Sequence, residues 1–231
     1  MQRSSVLRTL TLSCVVGCGG AGAAPSGPPA DAAPPTADGA PSPLADAATA
    51  APAADATPPP QAEAYPAGPY GTGIGAVLEP FVLQNCNAEG GATAPWRFDG
   101  PDFFTSQLTV LIISAAWCVP CQREAEVLER TLIEPFRGRG VRFVQVLVQN
   151  ADRSPISEPT CRSWVSRYRL SLPELMDPTF ITSPFVPRSA FPGNVIIDRR
   201  GRIRWREYGS DTGLASIRTA VEDVLANPDP Q

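Results

Sequence analysis

Ser114-Ala115-Ala116-Trp117-Cys118-Val119-Pro120-Cys121 decides the fold. Upstream, residues 109–114 (TVLIIS) form a continuous apolar run of the kind a strand shows when both its faces are covered. Downstream, Ala125, Leu128, Leu132 and Phe136 recur at spacings of three and four, the apolar stripe of an amphipathic helix that Gly138 and Gly140 stop. Two thiols two residues apart therefore stand where a buried strand turns into a helix. The first thiol meets the helix's unpaired N–H groups and the positive end of its dipole, which lowers its pKa. The second lies one turn in, within reach of a mixed disulfide on the first. Pro120 fits a first helical turn because its missing N–H has no partner there. Cys118 reads as the attacking nucleophile and Cys121 as the resolving thiol.

Outward from this junction the pattern continues. Residues 78–83 alternate as an opening strand, and residues 141–148 (VRFVQVLV) form a second buried one. Residues 159–170 offer Trp164, Val165 and Tyr168 as one helical face. Residues 194–197 and 203–207 are strands joined by the turn Asp198-Arg199-Arg200-Gly201, and residues 213–226 close the chain as a helix with Leu214, Ile217, Val221, Val224 and Leu225 inward. The expected class is α/β, a mixed sheet flanked by helices.

Composition removes competing chemistries. The chain of 231 residues has no His, which excludes a Ser-His-Asp hydrolase, a Cys-His protease and a His-ligated metal site. All 19 basic residues are Arg, so Schiff-base chemistry and a P-loop lysine are excluded. A net charge of −4 gives no case for nucleic-acid binding.

Trp117-Cys118-Val119-Pro120-Cys121 with Glu124 three residues on resembles the WCxPCxxE signature of thioredoxin-like proteins, the extracytoplasmic TlpA/ResA type in particular. Two further elements are similar to that group. Phe191-Pro192 ahead of Asn194-Val195-Ile196-Ile197-Asp198 resembles its cis-Pro loop, and Leu172-Pro173-Glu174-Leu175-Met176-Asp177-Pro178 resembles the segment before that loop. The resemblance spans about residues 76–226. It implies a thioredoxin-like sheet and thiol–disulfide exchange with protein disulfides, in the direction of reduction. It also implies a membrane thiol relay as electron donor and no cofactor beyond the redox-active disulfide. Pro192 would lie in cis against the dithiol, with Phe191, Trp117 and Pro120 completing the substrate-facing loop, and Glu124 would hold the acidic position behind it. Two departures stand out. Ile112 occupies the place where thioredoxins carry a buried Asp, so Glu124 or water must move the Cys121 proton. Phe191 is bulkier than the usual Thr or Val and is expected to narrow the groove or alter redox poise. The competing class is a non-catalytic thioredoxin-fold module with a structural disulfide.

Cys86 and Cys161 remain. In an exported protein they are expected to form a structural disulfide closing a 75-residue loop. Free or partner-bonded thiols and a second redox relay are the alternatives. Four cysteines formally suffice for zinc, but Cys86 and Cys161 are scattered singly, and no metal is expected. Copper delivery would want a His beside a Cys-x-x-x-Cys, and the chain has no His; a peroxidase would want a Thr-x-x-Cys setting, which the Trp-led motif does not supply. Trp96, Trp164 and Trp205 read as core. Arg199, Arg200, Arg202, Arg204 and Arg206 alternate along the last hairpin and read as a solvated edge, with docking of an acidic partner as the alternative.

Residues 1–18 carry Arg3 and Arg8, no acid, and a short apolar run too short to span a bilayer, a signal-peptide layout. Val15-Val16-Gly17-Cys18 resembles a bacterial lipobox, which would make Cys18 the lipidated first residue of a mature protein held on the periplasmic side of a membrane. Gly19 after Cys18 resembles outer-membrane sorting. Residues 19–70 hold 13 of the 27 Pro, five acids and no base, too little apolar surface to offset ordering entropy, and read as a disordered Pro/Ala-rich tether. The expected organisation is thus a leader over 1–18, a spacer over 19–70 and a thioredoxin-like domain over 71–231.

Overall fold

The computed structural model describes residues 64–209 and 214–228. The expected leader with its Cys18, and the spacer up to residue 63, lie outside the described residues.

Seven strands form one sheet in the order β2-β1-β5-β4-β3-β6-β7. They are β1 (Val82–Asn85), β2 (Ala94–Arg97), β3 (Leu108–Ser114), β4 (Val141–Leu147), β5 (Glu174–Met176), β6 (Gly193–Asp198) and β7 (Ile203–Tyr208). The helices are α1 (Pro101–Phe104), α2 (Val119–Leu128), α3 (Glu134–Phe136), α4 (Glu158–Tyr168) and α5 (Ala215–Ala226). The long apolar runs fall where the sheet is deepest. All seven residues of β3 are buried, held between β4 in parallel register and β6 in antiparallel register. The opening strand sits later than the 78–83 alternation indicates: β1 starts at Val82, because Leu78 instead donates its N–H to Gly201 O at 2.8 Å and belongs to the chain running beside β7.

One expected helix is three pieces. α2 passes through a π-turn over Glu129–Ile133 into α3. Pro135 explains the change, because it has no N–H to return to Thr131 and the preceding turn widens to bond Glu134 N–H to Glu129 O. The apolar stripe survives, with Ala125, Leu128, Leu132 and Phe136 all buried.

The packed region also takes in residues counted with the spacer. Tyr65 donates its hydroxyl to Leu78 O at 2.7 Å and packs on the rings of Phe103 and Phe104. Burial raises its phenol pKa above the ordinary tyrosine value. From there residues 71–78 run beside β7, with Gly75 N–H on Ile203 O and Ile203 N–H on Ala76 O.

This strap corrects the solvated-edge reading of the arginine hairpin. Arg202 donates to Gly75 O at 3.2 Å and Arg206 to Thr72 O at 2.5 Å. Arg204 lies almost fully buried, paired with Asp198 at 3.3 Å and donating to Asn227 O and Pro228 O. Alternation along the strand gave the side; it gave no sign that chain ends would supply carbonyls there. Arg199 and Arg200, at the turn, stay exposed.

A row of side chains crosses the middle of the sheet in register: Asn194 on β6, Ile112 on β3, Gln145 on β4 and Glu174 on β5. Register partners share a face, so Asn194 and Gln145 flank Ile112 and Glu174 lies beyond Gln145. Gln145 is satisfied. It accepts from Trp164 Nε1 of α4 at 3.0 Å and donates to Ser114 Oγ at 3.0 Å. Glu174 is fully buried and neither carboxyl oxygen has a hydrogen-bond partner, which pushes its pKa well above the carboxylate range through desolvation alone. The folded protein therefore holds a proton that the unfolded chain releases above the ordinary value of 4.5. The cost of keeping that proton is absent below that pH and grows as pH rises toward the folded value, so stability falls by about 1.4 kcal/mol per pH unit across this window. Replacing Glu174 with Leu is expected to raise the urea midpoint at pH 7. The gap should shrink steadily toward pH 4.5 in parallel titrations; a gap constant in pH would show that Glu174 is ionised in the fold.

Candidate functional site

The dithiol sits at the C-terminal end of β3. Cys118 is the N-cap of α2, with extended φ/ψ of −76° and 109°, and Pro120 stands in the first turn. Cys121 lies one turn in. The two sulfurs are bonded at 2.13 Å, with Cα atoms 5.3 Å apart. Cys121 N–H points at Cys118 Sγ at 3.2 Å, a donor placed to stabilise a thiolate there after reduction. In the disulfide form Cys121 is fully buried and Cys118 nearly so, at 3% exposure, while Val119 between them is exposed.

The turn carrying Cys118 is tied to its surroundings. Cys118 N–H bonds to Ala115 O, and Gln122 Nε2 bonds to Ala116 O at 2.8 Å. Gln149, just past β4, holds the turn twice: its backbone carbonyl accepts from Ala116 N–H at 2.9 Å and its side-chain oxygen from Trp117 Nε1 at 2.9 Å. The Trp117 ring is thereby fixed beside the sulfur. Sequence reasoning passed over Gln149, since nothing local connects it to a tryptophan 32 residues away.

Phe191-Pro192 is a cis peptide immediately ahead of β6. Gly193 follows because a methyl group there would overlap the Val186 side chain and crowd Phe185 O, so the loop before Pro192 lies flat on the strand. Phe191 is buried. Its ring meets Trp117 edge-on at 5.7 Å and stacks on Phe180 at 5.8 Å. The bulk that distinguishes Phe191 from Thr or Val is absorbed in an aromatic cluster that links the cis-Pro loop to the dithiol turn. Phe180 is held by Asp177, a buried residue whose carboxylate accepts from the Ile181 and Thr182 N–H groups and from Thr182 Oγ1.

Glu124, on α2 behind the dithiol, is buried, at 3% exposure. Ile112 is also buried, on the strand that leads into the dithiol turn, so position 112 brings no carboxylate to the dithiol.

Cys86 and Cys161 are joined to each other by a disulfide, S–S 2.02 Å and Cα–Cα 6.3 Å. Both are fully buried, and the bond ties α4 to the end of β1, where Cys86 N–H bonds to Glu174 O. Among the described residues no cluster of three or more Cys, Asp or Glu side chains is arranged to hold a metal ion, and no helix is long and apolar enough to cross a membrane.

A mixed sheet with a Cys-x-x-Cys at the N-terminus of its first long helix, facing a cis-Pro loop, is a thioredoxin-like fold, and solved structures bear this out. The chain superimposes on a thiol:disulfide interchange protein of the thioredoxin family from Chlorobium tepidum TLS with a TM-score of 0.51 and 17% identity, over 67% of this chain and 99% of that one. A secreted thiol-disulfide isomerase from Corynebacterium glutamicum matches with a TM-score of 0.52 and 19% identity, over 66% and 86%. An uncharacterized conserved protein from Geobacillus kaustophilus matches at 0.54 and 22%, over 69% and 86%. No protein-family model and no curated protein sequence matches the chain.

Proposed function

We propose that this domain is a thiol–disulfide oxidoreductase that reduces protein disulfides. The observation that carries the reading is the Cys118–Cys121 pair itself, capping α2 with a backbone N–H aimed at the first sulfur and the Trp117–Phe191–Pro192 surface beside it. In the reduced enzyme the Cys118 thiolate attacks one sulfur of a substrate disulfide. A mixed disulfide forms, and the other substrate sulfur leaves as a thiolate that takes up a proton. Cys121 then loses its proton and attacks Cys118 Sγ, releasing the second substrate thiol and leaving the Cys118–Cys121 disulfide. With Ile112 in the place of a buried acid, Glu124 is the nearest carboxyl along α2 to receive the Cys121 proton, with water as the alternative. Two electrons from a membrane thiol relay complete the cycle. The lipobox-like ending at Cys18 and the solved neighbours described as interchange and secreted isomerase proteins support an extracytoplasmic location, with attachment through lipid on Cys18 to the membrane, the outer one favoured.

The near-complete burial of Cys118 in the disulfide form favours a second reading, a binding module whose disulfide stays closed. The reduction potential separates the two. Equilibration in glutathione and dithiothreitol redox buffers, followed by alkylation and mass measurement, is expected to place the pair between about −270 and −120 mV. A value below about −300 mV, with no reduction of a test disulfide, would assign the binding module instead.

A further inference from the structure

The loop after β4 places a guanidinium over the ring that flanks the dithiol. Arg153 Cζ lies 4.3 Å from the centre of the Trp117 ring, and the arginine is exposed. Two features set this contact apart from a chance surface stack. Arg153 has φ of +69°, a left-handed conformation that Gly or Asn takes at lower cost than a long side chain.

The loop is also heavily over-determined. Asn150 N–H bonds to Ser154 O, Arg153 N–H to Asn150 O, and Ser154 N–H and Oγ–H both to Asp152 Oδ1. The Asn150 side chain donates to Ser154 Oγ and Pro155 O and accepts from Ser157. Gln149, which opens the loop, is the residue that locks Trp117. The frame thus holds one cation in a fixed place beside the nucleophile's turn.

The charges around Arg153 are few. The Asp152 carboxylate is turned to Ser154, and among the described residues no carboxylate forms an ion pair with Arg153. The first turn of α2 carries no acidic residue, and Asp177, across the aromatic cluster, is buried and spent on Thr182 and Ile181. The guanidinium keeps its N–H edge for a ligand, and the Trp117 ring beneath it leaves that edge open to two-pronged pairing with a carboxylate.

We infer that Arg153 selects substrate proteins that carry a carboxylate beside the disulfide to be reduced. This rests on the oxidoreductase reading and adds the substrate class to it. A substrate chain that comes past Trp117 to bring its sulfur to Cys118 passes the N–H edge of Arg153. A Glu or Asp one or two residues from its cysteine pairs there, and a Lys at the same place is repelled.

The test uses the full chain, reduced and desalted, with three disulfide peptides identical except for Glu, Gln or Lys next to the attacked cysteine. The ratio of kcat/KM for the Glu peptide to that for the Lys peptide is expected to be about fivefold to tenfold in low salt, and to shrink in 0.5 M salt, as for exposed charge pairs. Arg153→Gln should bring the ratio to within twofold of one, Arg153→Glu should invert it, and Arg153→Lys should keep its direction at reduced size, which a packing role on Trp117 would not predict. A ratio near one in the native protein overturns the inference, as does a ratio that survives in Arg153→Gln. Attack on none of the three peptides overturns the oxidoreductase reading, and the inference falls with it. Attack on all three at one rate overturns the inference alone.

Discussion

Cys118→Ser is expected to abolish disulfide reduction, lowering the rate by at least about a thousandfold, because no other sulfur among the described residues is both free to form a thiolate and close to the surface. Cys121 is fully buried one turn into α2 and meets substrate only after Cys118 has drawn it in as a mixed disulfide. The two variants should therefore fail differently. Cys121→Ser keeps the nucleophile, so it should take up one equivalent of a disulfide peptide and stop, giving a covalent adduct visible by mass and released by dithiothreitol. Cys118→Ser should give no adduct. Adduct formation by Cys118→Ser at the rate of Cys121→Ser would reverse the assigned roles.

The second large effect concerns stability. The Cys86–Cys161 bond closes 75 residues, a span that includes β3, the dithiol turn and β4. Constraining a loop of that length in the unfolded chain is worth about 4 kcal/mol in the loop-entropy model. The Cys86→Ala, Cys161→Ala pair should lose close to that amount in urea unfolding, with a melting point lower by roughly 8–16 °C for a domain of this size. Alanine rather than serine is the fair replacement, since both sites are fully buried and a hydroxyl there would lack a partner. Below its melting point the double variant should still exchange disulfides, because neither sulfur reaches the surface. Loss of exchange in a folded double variant would move this pair from the frame into the redox chemistry.

The parts of the fold that were legible in the sequence are those set by local chemistry. Residues 109–114 and 141–148 announce strands because each is buried on both faces, and Cys118, Pro120 and Cys121 announce a helix start because capping and proline geometry act within one turn. What could not be read depends on register and on distant segments. Glu174 looks like an ordinary polar residue in a short strand until β5 pairs with β4 and sets it beside Gln145 in the core. Gln149 and Arg153 acquire their meaning from Trp117, which only the parallel pairing of β3 and β4 brings to them. The arginine hairpin was misread for the same reason: its partners are carbonyls from residues 72 and 75 and from residues 227 and 228. Pro135 was visible, but a helical stripe continues through a π-turn with its spacing nearly intact, so periodicity did not register the break.

The strap from Tyr65 to Leu78 has a mechanical meaning. A load applied at residue 64 reaches the domain through a series of separate catches: the Tyr65 ring against Phe103 and Phe104, then Arg206 on Thr72, then Arg202 on Gly75, then the backbone bonds to Ile203 and Gly201. Catches in series are loaded one at a time, so traction is expected to peel the strap from β7 before it shears the sheet. β3, four strand positions from the far edge and two from β7, would stay seated through that loss. The fold thus carries a sacrificial fastening on one margin, and the redox turn at the tip of β3 lies on the protected side of it.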